Sequence, residues 1–163
     1  MGKLSDVKVY DKTLYKLDDK NTKLMEGMYY NRHFVVLRHK SGHPNAYLEV
    51  LDDDWIKTVE PTDYAKEHGW DDRYDAFSGY INGGATYYGE AYWDAEDKRT
   101  YIGWDYGHCD DYDPWWSQVS GKEDTGHKWN FVEIMMDVAH AYDAFERDNI
   151  EHLLDTHPET KTE

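Results

Sequence analysis

The amino-acid sequence predicts an α+β fold, in which an antiparallel sheet of hairpins packs against one long C-terminal helix. Three observations support this prediction. Residues 128–154 have the apolar period of an α-helix. Short apolar runs alternate with turns that contain glycine or proline along residues 32–106. The pair Asn82-Gly83 lies between two such runs and is a strong local signal of a turn.

The C-terminal helix is the most clearly defined of these elements. Its apolar side chains share one helical face, at offsets 0, 3, 4, 7, 11 and 14: Phe131, Ile134, Met135, Val138, Tyr142 and Phe145. We expect Asp124 or Thr125 to cap the start of the helix. The opposite face carries side chains that we expect to meet solvent: Asp137, His140, Asp143 and Arg147.

The strands are predicted from apolar runs that flank turns. Four strands are expected, over residues 32–39, 46–51, 85–93 and 100–106. One short helix is expected over residues 60–67. Residues 109–128 show no clear period and are expected to be irregular. Residues 1–30 are predicted to be an N-terminal extension of uncertain structure, residues 31–157 a single domain, and residues 158–163 a flexible tail.

The composition indicates a folded domain with an unusual core. The chain has 163 residues and a net charge of -16, and Leu, Ile, Val and Phe together number only 27. Low aliphatic content with high charge is typical of disordered chains. The 15 Tyr and 7 Trp residues offset this, because each aromatic ring buries a large apolar area. We therefore expect a core that is built from rings as much as from aliphatic side chains.

Composition and charge also exclude several function classes. No run approaches 18 apolar residues, so no membrane span is expected, and the first ten residues lack the apolar region of a signal peptide. The lone Cys109 cannot form an internal disulfide, which favours a reducing compartment. Direct binding to nucleic acid is disfavoured, because phosphate recognition depends on Lys and Arg. An acidic surface instead favours a basic protein partner or a divalent cation.

The charge is distributed unevenly along the chain. Residues 1–40 carry nine basic and five acidic side chains, a net of +4, whereas residues 41–163 carry nine and 29, a net of -20. The densest acidic segment, residues 52–113, has 17 acids and five bases. This segment is either a solvated face or a surface that competes for a basic, nucleic-acid-binding groove of another protein.

Three turns combine glycine with polar or ionisable side chains. They are Gly42-His43-Pro44, the segment 82–87, and the segment 103–111. Such loops on a rigid scaffold often carry binding and catalytic groups. His43, Asp105 and His108 are the candidate catalytic residues, since an imidazole beside a carboxylate can perform general acid–base chemistry.

The same residues form a candidate metal site. His43, Asp105, His108 and Asp111 would offer nitrogen and oxygen ligands to Zn²⁺ or a similar divalent ion. Asn82 adds little to this site, because an amide is a poor ligand for transition metals and does not titrate. The structural alternatives remain open: His43 capping its own turn, and Asp105 pairing with His108 to hold a hairpin.

Aromatic side chains crowd around the third turn and suggest a binding surface. The candidate ligand- or partner-binding residues are Asn82, Thr86, Tyr87, Trp104, Tyr112, Trp115 and Trp116. Tyr and Trp among acids suit recognition of a basic or amphipathic protein surface, and they can also stack on a nucleotide ring. The alternative is that these rings replace missing aliphatic residues in the core.

The order of the three turns resembles a family of small proteins from bacteriophages and bacterial mobile DNA. That family has a Gly-His-Pro turn, then His-Gly-Gly-Leu-Thr-Tyr, then Gly-Phe-Asp-x-x-His-x-x-Asp, then a C-terminal helix. The matching residues here are 42–44, 83–87, and Gly103-Trp104-Asp105 with His108 and Asp111. Asn82 replaces the first histidine of the second motif. The resemblance implies a phage-type origin rather than a mechanism.

These observations support two hypotheses. The first is a small acidic accessory protein of phage type that binds a host or defence component in the cytoplasm of a bacterial cell, possessing no catalytic activity. Its partner would be a host protein with a basic surface. The second is a metal-assisted hydrolase of a phosphoester or nucleotide signal, in which the bound ion lowers the pKa of a water molecule.

Overall fold

A single antiparallel sheet organises the molecule. The computed structural model describes residues 3–156, and within this range six strands form one sheet in the order β1-β2-β3-β4-β6-β5. The strands are β1 (Leu4–Val9), β2 (Thr22–Tyr29), β3 (Arg32–Arg38), β4 (Pro44–Val50), β5 (Tyr87–Glu90) and β6 (Thr100–Asp105). Every neighbouring pair is antiparallel.

The helices occupy the connections and the C-terminal part of the chain. They are α1 (Asp63–His68), α2 (Pro114–Ser120) and α3 (Phe131–Asp155), with 3₁₀ turns at Trp55–Thr58 and Arg73–Ala76. An antiparallel sheet with one long C-terminal helix is the predicted α+β class, which is therefore confirmed. No helix in the part of the chain that the structure describes is long and apolar enough to span a membrane.

The sheet extends into the segment that the sequence left unassigned. β1 and β2 lie within residues 1–30, and β2 pairs with β3 from Thr22 opposite Arg38 to Tyr29 opposite Arg32. The structure thus shows no boundary at residue 30. A bulge between Lys23 and Met25 puts Leu24 and Met25 both in the interior, and this hides the alternation from which strands are recognised. The proposed tail at 158–163 lies outside the described residues.

Two apolar layers cover the two faces of the sheet. One face packs against α3 through buried side chains such as Phe34, Leu48 and Ile102, which meet Val138 and Phe145 of the helix. The other face is a smaller cluster of Val35, Leu37, Tyr47, Ala91 and Tyr101, with Tyr87 and Trp93 packed against it. Rings thus form a large part of the second layer, as the composition indicates.

Helix α3 confirms the predicted apolar face and differs at its start. Ile134, Val138 and Phe145 are fully buried. The N-cap is Asn130, not Asp124 or Thr125, and Asn130 and Glu133 form a capping box. Asp137, expected in solvent, instead accepts a hydrogen bond from the Tyr106 hydroxyl at 2.6 Å.

Helix α2 lies within residues 109–128, which were predicted to be irregular. Asp113 caps it by accepting a hydrogen bond from the Trp116 backbone, Pro114 occupies the first turn, and Gly121 ends it with a positive φ of 74°. Cap, proline and glycine are the ordinary start and stop signals of a helix. With only seven residues between them, the apolar period is too short to be seen.

Candidate functional site

The three turns singled out in the sequence come together at one end of the sheet. His43 of the first turn and His108 of the third line the same recess, which we call the histidine cleft; its volume is about 200 Å³. Its walls are Ser41, His43, Gly107, His108, Tyr112, Asp113 and Trp115. The second turn packs behind His108, because a Cβ at Gly83 would lie 3.0 Å from its Nε2.

Strand pairing explains why these turns meet. β4 and β6 are antiparallel neighbours, with Asn45 opposite Asp105. The turn that enters β4 and the loop that leaves β6 therefore lie at the same end of the sheet. The Tyr106 backbone donates to the carbonyl of Pro44 at 3.1 Å, which ties the two loops together.

Asp111 is a structural carboxylate at the centre of this junction. Its Oδ2 accepts hydrogen bonds from the Asn82 side chain and the His108 backbone, each at 3.0 Å, and its Oδ1 accepts from the Trp129 indole at 2.8 Å. Only 5% of the residue is exposed. Both oxygens are therefore committed to holding loops from three parts of the chain.

Asn82 joins the second turn to the third. Its Nδ2 donates to Asp111 and also to the backbone carbonyl of Asp105 at 3.1 Å. An amide supplies two N–H groups from one nitrogen, which a histidine ring does not. Asn82 thus links the loops through two hydrogen bonds from one amide nitrogen.

Asp105 and His108 are close but weakly coupled. Oδ1 of Asp105 accepts from the Gly107 backbone at 3.0 Å, and Oδ2 accepts from the Thr86 hydroxyl at 3.1 Å. His108 Nε2 lies 3.5 Å from Oδ1 and is buried, and it makes no hydrogen bond to any of the described residues. The Asp105 carboxylate therefore mainly holds its own loop. Nε2 of the His108 ring has no hydrogen-bond partner among the described residues.

His43 is packed into its own turn. Its Nδ1 lies 3.2 Å from the Pro44 carbonyl, to which it donates, and its ring stacks on His39 with centroids 5.2 Å apart. Burial, with the adjacent His43, lowers the pKa of His39. A Cβ at Gly107 would lie 2.6 Å from His43 Nε2, so glycine lets the two loops approach this closely.

The expected metal site is not assembled. Among residues 3–156, no group of three or more His, Cys, Asp or Glu side chains is placed to hold a metal ion. The hydrogen bonds of Asp111 and Asp105 give the physical reason. Of the four predicted ligands, His43 and His108 line one cleft. The carboxylates of Asp105 and Asp111 instead accept hydrogen bonds that hold the loops in place.

The predicted aromatic surface is divided between core and exterior. Trp104 is 1% exposed and donates from its indole to the Tyr106 hydroxyl at 2.8 Å, so it is a core residue and not a binding residue. Tyr112 is also buried, although its side chain reaches a wall of the cleft. Trp115 and Trp116 on α2 are 53% and 51% exposed. Strand alternation turned Trp104 inward, whereas the short helix α2 presents its rings to solvent.

Thr86 and Tyr87 line a different recess, which we call the aromatic pocket. It has a volume of about 470 Å³ and is walled by Gly69, Trp70, Asp71, Tyr74, Thr86, Tyr87 and Tyr88. Trp70 and Tyr74 were not among the predicted binding residues. The signal that would have found them is the run Trp70-Asp71-Asp72-Arg73-Tyr74, which places rings at both ends of an acidic loop.

The fold and these recesses define an α+β protein whose loops build two ring-lined depressions in an acidic part of the chain. Comparison with protein-family models, with curated proteins and with solved structures found no match to this chain. The geometry and charge of the two recesses are therefore the features that indicate a function.

Proposed function

We propose that this protein is a binding module that takes a basic segment of a protein partner at the histidine cleft. The observation that carries the proposal is the cleft wall itself. Trp115 is half-exposed there, beside the exposed carboxylate of Asp113, in a stretch where residues 105–121 contain four acids and no Lys or Arg. A half-exposed Trp next to unpaired negative charge suits a basic, partly apolar segment.

The charge of the surroundings supports the same partner class. The cleft is built largely from the acidic segment 52–113, whose net charge is -12 from 17 acids and five bases. Such a field steers a positively charged partner and raises its association rate at low ionic strength. The resemblance to phage-type proteins supports a host or defence component of a bacterial cell as that partner, with a surface that otherwise binds nucleic acid.

The metal-assisted hydrolase has less support. Its ion would need Asp111, yet both oxygens of that carboxylate accept hydrogen bonds from Asn82, His108 and Trp129. Breaking these bonds would separate the loops that form the cleft. Recognition needs no such rearrangement, since Trp115 and Asp113 are both exposed, and only Oδ1 of Asp113 is used to cap α2.

The test is affinity capture from bacterial lysate with the full chain, compared between Trp115→Ala and a control. We expect wild-type protein to retain a basic partner at about 50 mM salt, to release it at about 500 mM, and to lose it to competing DNA. Trp115→Ala should reduce retention at least about ten-fold, as expected for a hot-spot ring. Tyr80→Ala removes a ring that is 84% exposed and lines neither recess, so retention should not change.

Two outcomes would contradict this proposal. One is retention that is indifferent to salt and DNA. The other is an equal effect of Trp115→Ala and Tyr80→Ala, because the cleft would then contribute nothing specific. Circular dichroism of each variant shows whether a loss of binding follows from a loss of fold.

A further inference from the structure

The aromatic pocket has the walls of a cation site. Four of its seven wall residues carry rings: Trp70, Tyr74, Tyr87 and Tyr88. Its volume of about 470 Å³ falls in the range of small-molecule sites. The faces of Trp and Tyr rings are negative, and several faces around one space attract a positively charged group.

The rings are held in place before any ligand arrives. Trp70 follows the end of α1, where Gly69 has a φ of 81° and the Trp70 backbone donates to Ala65 at 3.0 Å. The Trp70 ring packs edge-on against Tyr64, with centroids 5.5 Å apart. Across the pocket, Tyr87 packs edge-on against Tyr47 at 5.7 Å. Walls that are already ordered reduce the entropy cost of binding.

The charge around the pocket favours a cation. Residues 60–75 contain six acids and two bases, a net of -4. Asp71 is the carboxylate in the wall, and its partner Arg73 holds it at 3.0 Å. The Arg73 guanidinium itself lies 4.6 Å from the centroid of Tyr88, so the chain already places one cation on a ring of this pocket.

The hydrogen-bonding groups of the wall are largely occupied. Thr86 donates to Asp105, the Tyr87 hydroxyl donates to the Glu90 carbonyl, and Asp71 is bound to Arg73. Burial, with the neighbouring Tyr92 and Glu90, raises the pKa of Tyr87 to about 12, so that its hydroxyl stays neutral. A bare ammonium group needs three acceptors, whereas a quaternary ammonium needs none.

We propose that the aromatic pocket binds a quaternary ammonium group, held by the faces of Trp70, Tyr74 and Tyr87 in the field of the acidic loop 60–75. The group is carried either by a free small molecule of the choline type or by a trimethylated lysine of a protein. The cation and its methyl groups are the shared chemistry. This site is separate from the histidine cleft and does not depend on the partner proposed there.

The experiment compares a cation with its neutral isostere on the purified full chain. Choline and 3,3-dimethylbutan-1-ol have the same shape and differ in charge, and each is titrated while the indole and tyrosine ring NMR signals are followed. We expect choline to shift the signals of Trp70 and Tyr87 saturably, and the isostere to bind at least about ten-fold more weakly. Trimethyllysine and lysine as blocked amino acids form the second arm. Tighter binding of choline indicates a small molecule, and tighter binding of trimethyllysine indicates a protein side chain.

Variants assign the binding to the pocket. Trp70→Ala should abolish the choline shift and Trp70→Phe should weaken it, because the indole face binds cations best. Tyr80→Ala, outside the pocket, should leave it intact. The proposal is overturned if the isostere binds as well as choline, if neither shifts the pocket rings, or if Tyr80→Ala loses binding as Trp70→Ala does. The comparison of isosteres needs only wild-type protein, so it stands even where a variant fails to fold.

Discussion

A buried ion pair joins the sheet to the C-terminal helix. Arg32 is 1% exposed, and its guanidinium donates to Asp54 at 2.7 Å and to the Glu49 carbonyl at 3.0 Å. Asp54 also accepts from the side chain of Asn149 on α3 at 2.9 Å. Although burial opposes its charged form, the hydrogen bonds from Arg32 and Asn149 keep the pKa of Asp54 below its ordinary value.

Removing one partner of this pair should be costly. Asp54→Ala leaves the buried Arg32 charge with only the half-exposed carboxylate of Glu146, 3.8 Å away, so the free energy of unfolding should fall by about 3–5 kcal/mol in urea denaturation. The matched control is Lys66→Ala, which breaks an exposed pair with Glu60 and should cost no more than about 0.5 kcal/mol. Similar costs for the two variants would show that burial of the pair contributes little.

Asp137 is a partly buried carboxylate whose pKa shifts in the opposite direction. Its burial raises its pKa despite the hydrogen bond from Tyr106. A raised pKa in the folded state means that the fold favours the protonated form, so this group lowers stability as pH rises above its unfolded pKa of about 3.9. Asp137→Asn keeps an acceptor for Tyr106 and removes the charge.

We therefore expect Asp137→Asn to raise the melting temperature at neutral pH. The gain should shrink as pH falls from neutral towards about 4, because the raised pKa means that the wild-type carboxyl of the folded protein is already protonated there. Thermal unfolding of both proteins between neutral and acidic pH measures this. A variant that is less stable at neutral pH, or a gain that grows in acid, would contradict the assignment.

At the scale of elements, a short parallel bridge lies beside the histidine cleft, next to its wall residue Tyr112. Asp111 pairs with His127, and the Tyr112 backbone donates to the His127 carbonyl at 2.9 Å. Gly126 permits this contact, since a Cβ there would lie 2.3 Å from the Asp111 carbonyl oxygen. The approach of backbone to backbone cannot be relieved by rotating a side chain.

Gly126→Ala should open this bridge. Forcing a methyl group into the contact should lower the free energy of unfolding by about 1–3 kcal/mol. The backbone amides of Tyr112 and His127 should exchange with solvent faster, which hydrogen exchange measures by residue. Gly121→Ala is the control: its φ is positive at 74°, unlike that of Gly126, but no atom lies within 4 Å of its added Cβ. That variant should cost about 1 kcal/mol from backbone strain and leave the exchange at Tyr112 and His127 unchanged.

At the scale of the whole molecule, charge and aromatic rings are concentrated in the same half. The first 40 residues, which supply β1, β2 and β3, have a net charge of +4, whereas residues 52–113 have a net of -12. Most wall residues of both recesses come from that acidic segment. The acidic segment thus supplies most of the walls of both recesses, and this favours cationic ligands for both sites.

Elements with a regular period were predictable from local sequence. The buried face of α3 followed from the spacing of Ile134, Val138 and Phe145, because a helix repeats its contacts every three to four residues. β1 and β2 were not predicted, because their sequences lack a regular apolar period. All of β1 is exposed and β2 contains a bulge, so neither shows the alternation of a half-buried strand.

The chemistry of the candidate site was predictable only in part. The turns at His43 and His108 were identified from residue types, and strand pairing then brought them together. The predicted metal site also required a free Asp111, and the Trp129 side chain, 18 positions away, donates a hydrogen bond to it. Likewise, Thr86 and Tyr87 belong to a pocket whose other wall, Trp70, comes from a distant turn.

Composition and periodicity alone establish the α+β class, the acidic character of residues 52–113 and the ring-rich interior, because these properties depend on residue types and their local spacing. The tertiary structure decides which hydrogen bonds each polar side chain makes, because a side chain bonds to whichever group the topology brings within about 3 Å. Asp111 illustrates this difference. Its sequence context suggests a metal ligand, whereas in the folded chain its hydrogen bonds hold together the loops of the histidine cleft.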